Sequence, residues 1–108
     1  MLQFLMSVIT DSLDMATEEE MTAITAFNLR LRENNALVFA GGLAGPQESW
    51  LLDNRNGRGA IANQPLVEHS EFIIGLWIVE SSDMESAQQL ASEASRACNR
   101  KIELRQFL

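Results

Sequence analysis

The only imidazole in the chain, His69, stands among carboxylates in the run Asn63-Gln64-Pro65-Leu66-Val67-Glu68-His69-Ser70-Glu71. Histidine is the side chain whose charge changes near neutrality. A carboxylate beside it, Glu68 or Glu71, can orient the ring, so the run permits an acid–base dyad in which His69 moves the proton. Asn63, Gln64 and Pro65 would then complete a polar turn at the mouth of a pocket. The blander reading is a surface histidine hydrogen-bonded locally in a turn. One histidine with neither a nucleophile nor a metal partner is a thin constellation, so the residues leave open whether any reaction takes place.

Other chemistries find less support. One cysteine, Cys98, cannot form an internal disulfide, and a reducing cytoplasm is the expected setting. It reads as a small buried hydrophobe before a nucleophile, because no second histidine or cysteine accompanies it. A lone histidine and a lone cysteine far apart do not make a zinc site, so no metal is expected. Gly41-Gly42 lacks the lysine and helix start of a phosphate-binding loop, and no cofactor is expected. The net charge of −7 argues against a phosphate-backbone partner. No apolar run approaches the roughly 20 residues of a membrane span, so no membrane partner is expected. The opening segment Met1–Thr10 lacks a basic leader and reads as a strand.

These residues need elements to hold them. Leu2–Ile9 alternates, with Leu2, Phe4, Met6 and Val8 on an apolar side and Gln3, Leu5, Ser7 and Ile9 on a mixed one. Asp11–Ala16 reads as a loop. Thr17-Glu18-Glu19-Glu20 is a capping box that opens a helix, and its acids suit the positive end of the helix dipole. Met21, Ile24, Phe27 and Leu31 form the core stripe, Leu29 lies opposite, and Asn34-Asn35 ends the helix. A strand follows from Leu37 into Gly41-Gly42, where glycines suit a bulge or a close backbone approach. Ser49–Leu52 and Gly59–Ala62 flank Asn56-Gly57, a tight-turn signal, and predict a hairpin that projects from the body. Trp50 on this hairpin needs an apolar seat, for which a second subunit is one candidate. Asp53, Arg55 and Arg58 at its tip read as solvated, or as contacts for an anion.

Phe72–Val79 is apolar at nearly every position. Phe72, Ile74, Leu76 and Ile78 face one way, and Ile73, Gly75, Trp77 and Val79 the other. A strand wetted on one side should alternate with polar residues, so both faces are expected to be covered. Helices cover one; a second copy of the sheet is the natural cover for the other, and a homodimer is expected. Trp77 would line a pocket or fill the dimer core. Ser82 to Glu85 reads as a second capping box with Ser82 as the cap, followed by a helix whose stripe is Met84, Ala87, Leu90, Ala91, Ala94 and Ala97. Arg100–Leu108 is a last strand with Ile102 and Leu104 toward the core. One domain over residues 1–108 is expected, with an α+β, ferredoxin-like fold: an antiparallel sheet with two helices on one face.

The turn and the strand after it resemble the signature of the YCII-related proteins, and within them the group named for an Asp-Gly-Pro-Phe tetrad. Asn63-Gln64-Pro65-Leu66 stands in place of the tetrad, Glu68 and Glu71 match two acids, and Gly75 matches a strand glycine. Gly41-Gly42-Leu43 with Pro46 resembles the family's glycine-rich bend, and the Asn-Gly hairpin sits where the family has its own. Departures fall in the signature: Asn63 for an aspartate, Gln64 for a glycine, and His69-Ser70 where Thr and Lys are usual. The resemblance implies a ferredoxin-like domain that pairs through its sheets as a dimeric α+β barrel. It brings no settled activity. A His–Asp acid–base pair attributed to some members finds no matching positions here, and members' occurrence near alternative sigma factors implies a regulatory setting. Two functions are therefore expected to compete. One is a homodimer that binds a small molecule in a cleft between sheet and helices, with or without His69 chemistry. The other is a non-catalytic dimeric module that acts through protein partners.

Overall fold

The structure, a computed structural model, describes all residues from Met1 to Leu108. Its elements in chain order are β1 (Leu2–Thr10), α1 (Glu18–Glu33), β2 (Leu37–Gly42), β3 (Leu51–Asp53), β4 (Ala60–Ala62), β5 (Phe72–Ser81), α2 (Met84–Cys98) and β6 (Lys101–Gln106). Four strands make one antiparallel sheet in the order β2-β5-β1-β6, and β3 and β4 make a separate two-stranded hairpin. The fold is thus α+β, and no helix is long and apolar enough to cross a membrane.

One face of the sheet and both helices share a single core. Phe4, Met6 and Val8 of β1 and Trp77 and Val79 of β5 cluster with Phe27 and Leu31 of α1 and Ala87, Ala94, Ala97 and Cys98 of α2. The alanines of α2 let that helix lie close to the strands. Helix α1 starts as its sequence predicts: the Thr17 hydroxyl accepts from the Glu20 N–H at 3.1 Å, and the Glu20 carboxylate accepts from the Thr17 N–H at 2.9 Å. Helix α2 differs. Its cap is Asp83, not Ser82, with Oδ1 accepting from the Ser86 N–H at 2.7 Å. An ionised carboxylate is the stronger acceptor at a helix N-terminus and takes the cap from the neighbouring serine. Met21 and Met84, expected in the core stripes, are more than a third exposed because each lies at the edge of its helix's buried arc.

Two further expectations are corrected. Trp77 is 4% exposed and faces the helices, so it fills the chain's own core and is dry without a second copy. Strand β5 also does not alternate cleanly. The register slips between Val8 and Ile9, opposite Gly75 and Ile73, and this bulge turns Ile74 into the helix-side core while Ile73 is left exposed. The sheet's other face carries Leu5, Ile9, Phe39, Ile73, Leu76 and Ile78 in the register of these pairings; Phe39 and Ile73 are exposed and the other four half-buried. The hairpin turns where expected, with Asn56 and Gly57 at φ 54° and 69°.

Candidate functional site

A sheet normally fills its helix-facing side with large side chains. Here the cross-strand pair Gly42–Gly75 on that side has none, and the next pair sets Ala40 against Trp77. Gly75 is held to glycine by its neighbours, since a Cβ there would lie 3.1 Å from the Gly41 carbonyl oxygen. The missing side chains leave a half-open cavity of about 670 Å³ between β5, the end of β2, helix α1 and the loop 11–16. That volume suits a small molecule. Ile24, Ile74, Val8 and Leu43 supply apolar wall, and Asn28 and Trp77 supply its most defined polar geometry.

Trp77 Nε1 donates to Asn28 Oδ1 at 2.7 Å, and the indole meets the Phe27 ring edge-on at 5.5 Å between centroids. Indole nitrogen is a donor only, so Asn28 must turn its oxygen to it and leave its NH₂ as the donor an occupant can meet. Backbone groups of Gly41 and Gly42 border the same space without side chains to shield them. The cavity therefore favours an apolar or aromatic body carrying a hydrogen-bond acceptor.

The loop 11–16 that walls one side is tied down from α2 and β6. Arg100, between them, donates through Nη1 to the Cys98 carbonyl at 2.8 Å and through Nη2 to the Asp14 carbonyl at 3.3 Å, and pairs with Glu20 at 3.6 Å. Glu20 thus serves both the α1 cap and the loop. Its backbone hydrogen bond from Thr17, with help from Asn99 and Arg100, holds its carboxyl below the ordinary range. Asp83 is lowered likewise by Ser86, and Asp53 by Arg55. A lowered carboxylate stabilises the fold above its unfolded pKa and loses that contribution as pH falls through the folded one. Melting temperature should therefore fall on acidification below about pH 4.5, toward and past these folded values. In Glu20→Gln protein the fall should be shallower, as checked by thermal melts from pH 7 to 3.

Of the residues the sequence singles out, Trp77 and Cys98 line the cavity; Asn63, Gln64, Pro65, Glu68, His69 and Glu71 do not. Asn63 Nδ2 donates to the Ser49 carbonyl at 2.8 Å and closes the base of the hairpin. Glu71 takes the Lys101 ammonium on Oε1 at 2.6 Å, which raises the lysine's pKa. Gln64, Glu68 and His69 are exposed and Pro65 half-buried. His69 borders a shallow depression with Ile9, Glu71, Lys101 and Glu103, at the margin of the sheet face away from the helices. Cys98 is buried, and burial pushes its thiol upward, away from reactivity. Asp53 pairs with both Arg55 and Arg58, at 2.7 and 3.2 Å, which occupies the hairpin tip.

Sequence reasoning passed over Asn28, Arg100 and the loop 11–16. Asn28 is one turn beyond Ile24 on α1, so the helix period that marks Ile24 as inward also brings Asn28 to that side. A polar residue on an inward arc is the signal that could have found it. The YCII-related domain family matches residues 1–106 of the 108-residue chain. A search of curated proteins gave no match.

Proposed function

The chain belongs to the YCII-related family, and on that footing we propose that it is a small homodimeric protein that binds a small molecule in the cavity between β5 and α1. The observation that carries this reading is the Gly42–Gly75 pair. It hollows the sheet beside an asparagine whose NH₂ is left free by Trp77. A chain needing only a filled core would place a side chain at Gly42, where a Cβ would meet nothing nearer than 3.9 Å. In this reading the four-stranded order β2-β5-β1-β6 supports a ferredoxin-like fold, and the apolar face away from the helices supports pairing of two sheets as a dimeric α+β barrel. The setting is cytoplasmic, and neither a metal nor a cofactor takes part.

Acid–base chemistry by His69, with Glu68 or Glu71 as orienter, belongs in the same proposal to a second place. His69 lies beside the open sheet face, so a proton transfer there would occur at the rim of the dimer and not in the cavity. The regulatory alternative, a non-catalytic module that engages protein partners, draws on one observation, the apolar residues exposed on the β3–β4 hairpin.

The cavity is tested by filling it. Gly42→Leu places a side chain where there is room and no positive φ to strain. It is expected to keep or raise the melting temperature of the free protein. In a thermal-shift screen of small aromatic carbonyl and carboxyl compounds, wild type should show stabilised hits, each by RT ln(1 + [L]/Kd). The same compounds should leave Gly42→Leu unmoved. Equal shifts in both proteins would put the binding elsewhere.

A further inference from the structure

The loop 11–16 is the one stretch of the cavity wall that is neither strand nor helix and makes no backbone–backbone hydrogen bond. Both of its ends are fixed. Thr10, the last residue of β1, is buried, and Thr17 is the cap of α1. Between them the loop is braced by short side chains. The Ser12 N–H and carbonyl both meet the Thr10 hydroxyl, and the Ser12 hydroxyl accepts from the Asp14 N–H at 3.0 Å. One hydrogen bond reaches the loop from a distant part of the chain, from Arg100 Nη2 to the Asp14 carbonyl at 3.3 Å. Arg100 is itself well anchored. Ser95 Oγ donates to its carbonyl at 2.6 Å, and its Nη1 donates to the Cys98 carbonyl at 2.8 Å. The bond to Asp14 is the longer of the guanidinium's two and the first to yield. Ser12, Asp14, Met15 and Arg100 also border a polar depression of about 590 Å³ toward the end of α2, so the loop is not packed tight on that side either.

The loop's composition is at odds with its exposure. Asp11, Ser12 and Asp14 suit solvent, but Leu13 is 58% and Met15 88% exposed. One exposed apolar side chain is ordinary. These two flank the tethered Asp14, and both border the apolar cavity. An occupant of that cavity lies within their reach and supplies the cover they lack.

We propose that the loop 11–16 is a lid on the cavity, that Leu13 and Met15 close over the bound molecule, and that Arg100 is a positioning residue that holds the loop at the rim through the Asp14 carbonyl. This rests on the small-molecule site of the preceding section and adds residues and a motion to it. It also narrows the ligand. The outer side of the molecule meets a leucine and a methionine, so that side is apolar. Its hydrogen-bond acceptor points inward, to the Asn28 NH₂. Methionine is flexible enough to follow the shape of what it covers. With both ends of the loop fixed, closure needs side-chain rotation and a few backbone dihedrals only. The contacts of Leu13 and Met15 form after entry, so they act on the rate of release.

The experiment measures binding and release of the neutral aromatic ketone prodan by stopped-flow fluorescence. Gly42→Leu, which fills the cavity, identifies the part of the signal that comes from it. Leu13→Ser with Met15→Ser alters two side chains exposed in the free chain, so its melting temperature without the probe should match wild type. Its dissociation rate constant should rise by roughly tenfold or more, with the association rate constant within about twofold of wild type. Arg100→Lys keeps a charge opposite Glu20 and loses the fork that spans the Asp14 and Cys98 carbonyls. It should release the probe several-fold faster in the wild-type loop and no faster in the Leu13→Ser, Met15→Ser background, a coupling that a general loosening of α2 would not produce. An Arg100→Lys effect undiminished in that background overturns the positioning role. Unchanged release from the Leu13→Ser, Met15→Ser protein, with binding still lost in Gly42→Leu, overturns the lid and leaves the cavity standing. Equal binding of prodan to wild type and Gly42→Leu overturns the cavity as its site, and the lid with it.

Discussion

Truncating Trp77 to alanine is expected to remove about 3–5 kcal/mol of stability, a large share of the roughly 5–15 kcal/mol of a typical domain. Trp77 is buried against Phe27 edge-on, and its N–H holds Asn28 at 2.7 Å. The truncation therefore opens a void in the core and strips Asn28 Oδ1 of its donor at once. Trp77→Phe separates the two losses. It keeps a ring against Phe27 and orphans the amide oxygen, and should cost about 1–3 kcal/mol. Urea melts of the two variants measure the difference. A cost below about 1 kcal/mol for Trp77→Ala would mean that the indole is not packed as described.

The second large effect lies on the opposite side of the same strand. Ile78→Glu is expected to leave the single chain folded, because Ile78 is only half-buried there and the helices do not touch its face. In the proposed dimer the same change sets a carboxylate against an apolar partner in each copy. Loss of burial at about 1.5–3 kcal/mol per side chain, twice, predicts a dissociation constant raised by about 10²–10⁴. Sedimentation equilibrium of the variant beside wild type reads this directly. An Ile78→Glu protein that dimerises as tightly as wild type would remove the open sheet face from the interface.

The parts of the fold that were legible in the sequence are those in which a local pattern and the tertiary structure demand the same thing. Thr17 to Glu20 reads as a cap and is one, Asn56-Gly57 reads as a tight turn and is one, and the double-sided apolar character of β5 is real. What misled was register. A bulge opposite Val8 and Ile9 is invisible to a strict alternation, so Ile73 and Ile74 exchange sides. Nor can alternation say which face meets the helices, and Trp77 turns inward because Phe27 and Asn28 meet it there. Asp83 displaced Ser82 because two adjacent cap-forming residues compete and the ionised carboxylate is the stronger acceptor at the helix N-terminus.

A cavity between sheet and helices was legible in the sequence as a place, and less so in the residues that line it. A turn rich in polar groups attracts attention as a mouth, yet Asn63 is consumed by the hairpin base and Glu71 by Lys101. The cavity is instead made by what is missing. Glycine at 42 and 75 reads in sequence as backbone freedom, and only the pairing of β2 with β5 shows that the two gaps coincide. Asn28 and Arg100 stand far apart in the chain from both, on α1 and beyond α2, and meet the cavity only through the packing of the helices on the sheet.

Trp77 is both the core's largest aromatic and a wall of the cavity, which makes its emission the most direct reporter of an occupant there. In Trp50→Phe protein it is the only tryptophan. Compounds that raise the melting temperature are predicted to shift or quench its emission over the same concentration range in which they stabilise the fold. Stabilising compounds that leave the Trp77 emission untouched through saturation would contradict the account, because an occupant of this cavity cannot avoid the indole.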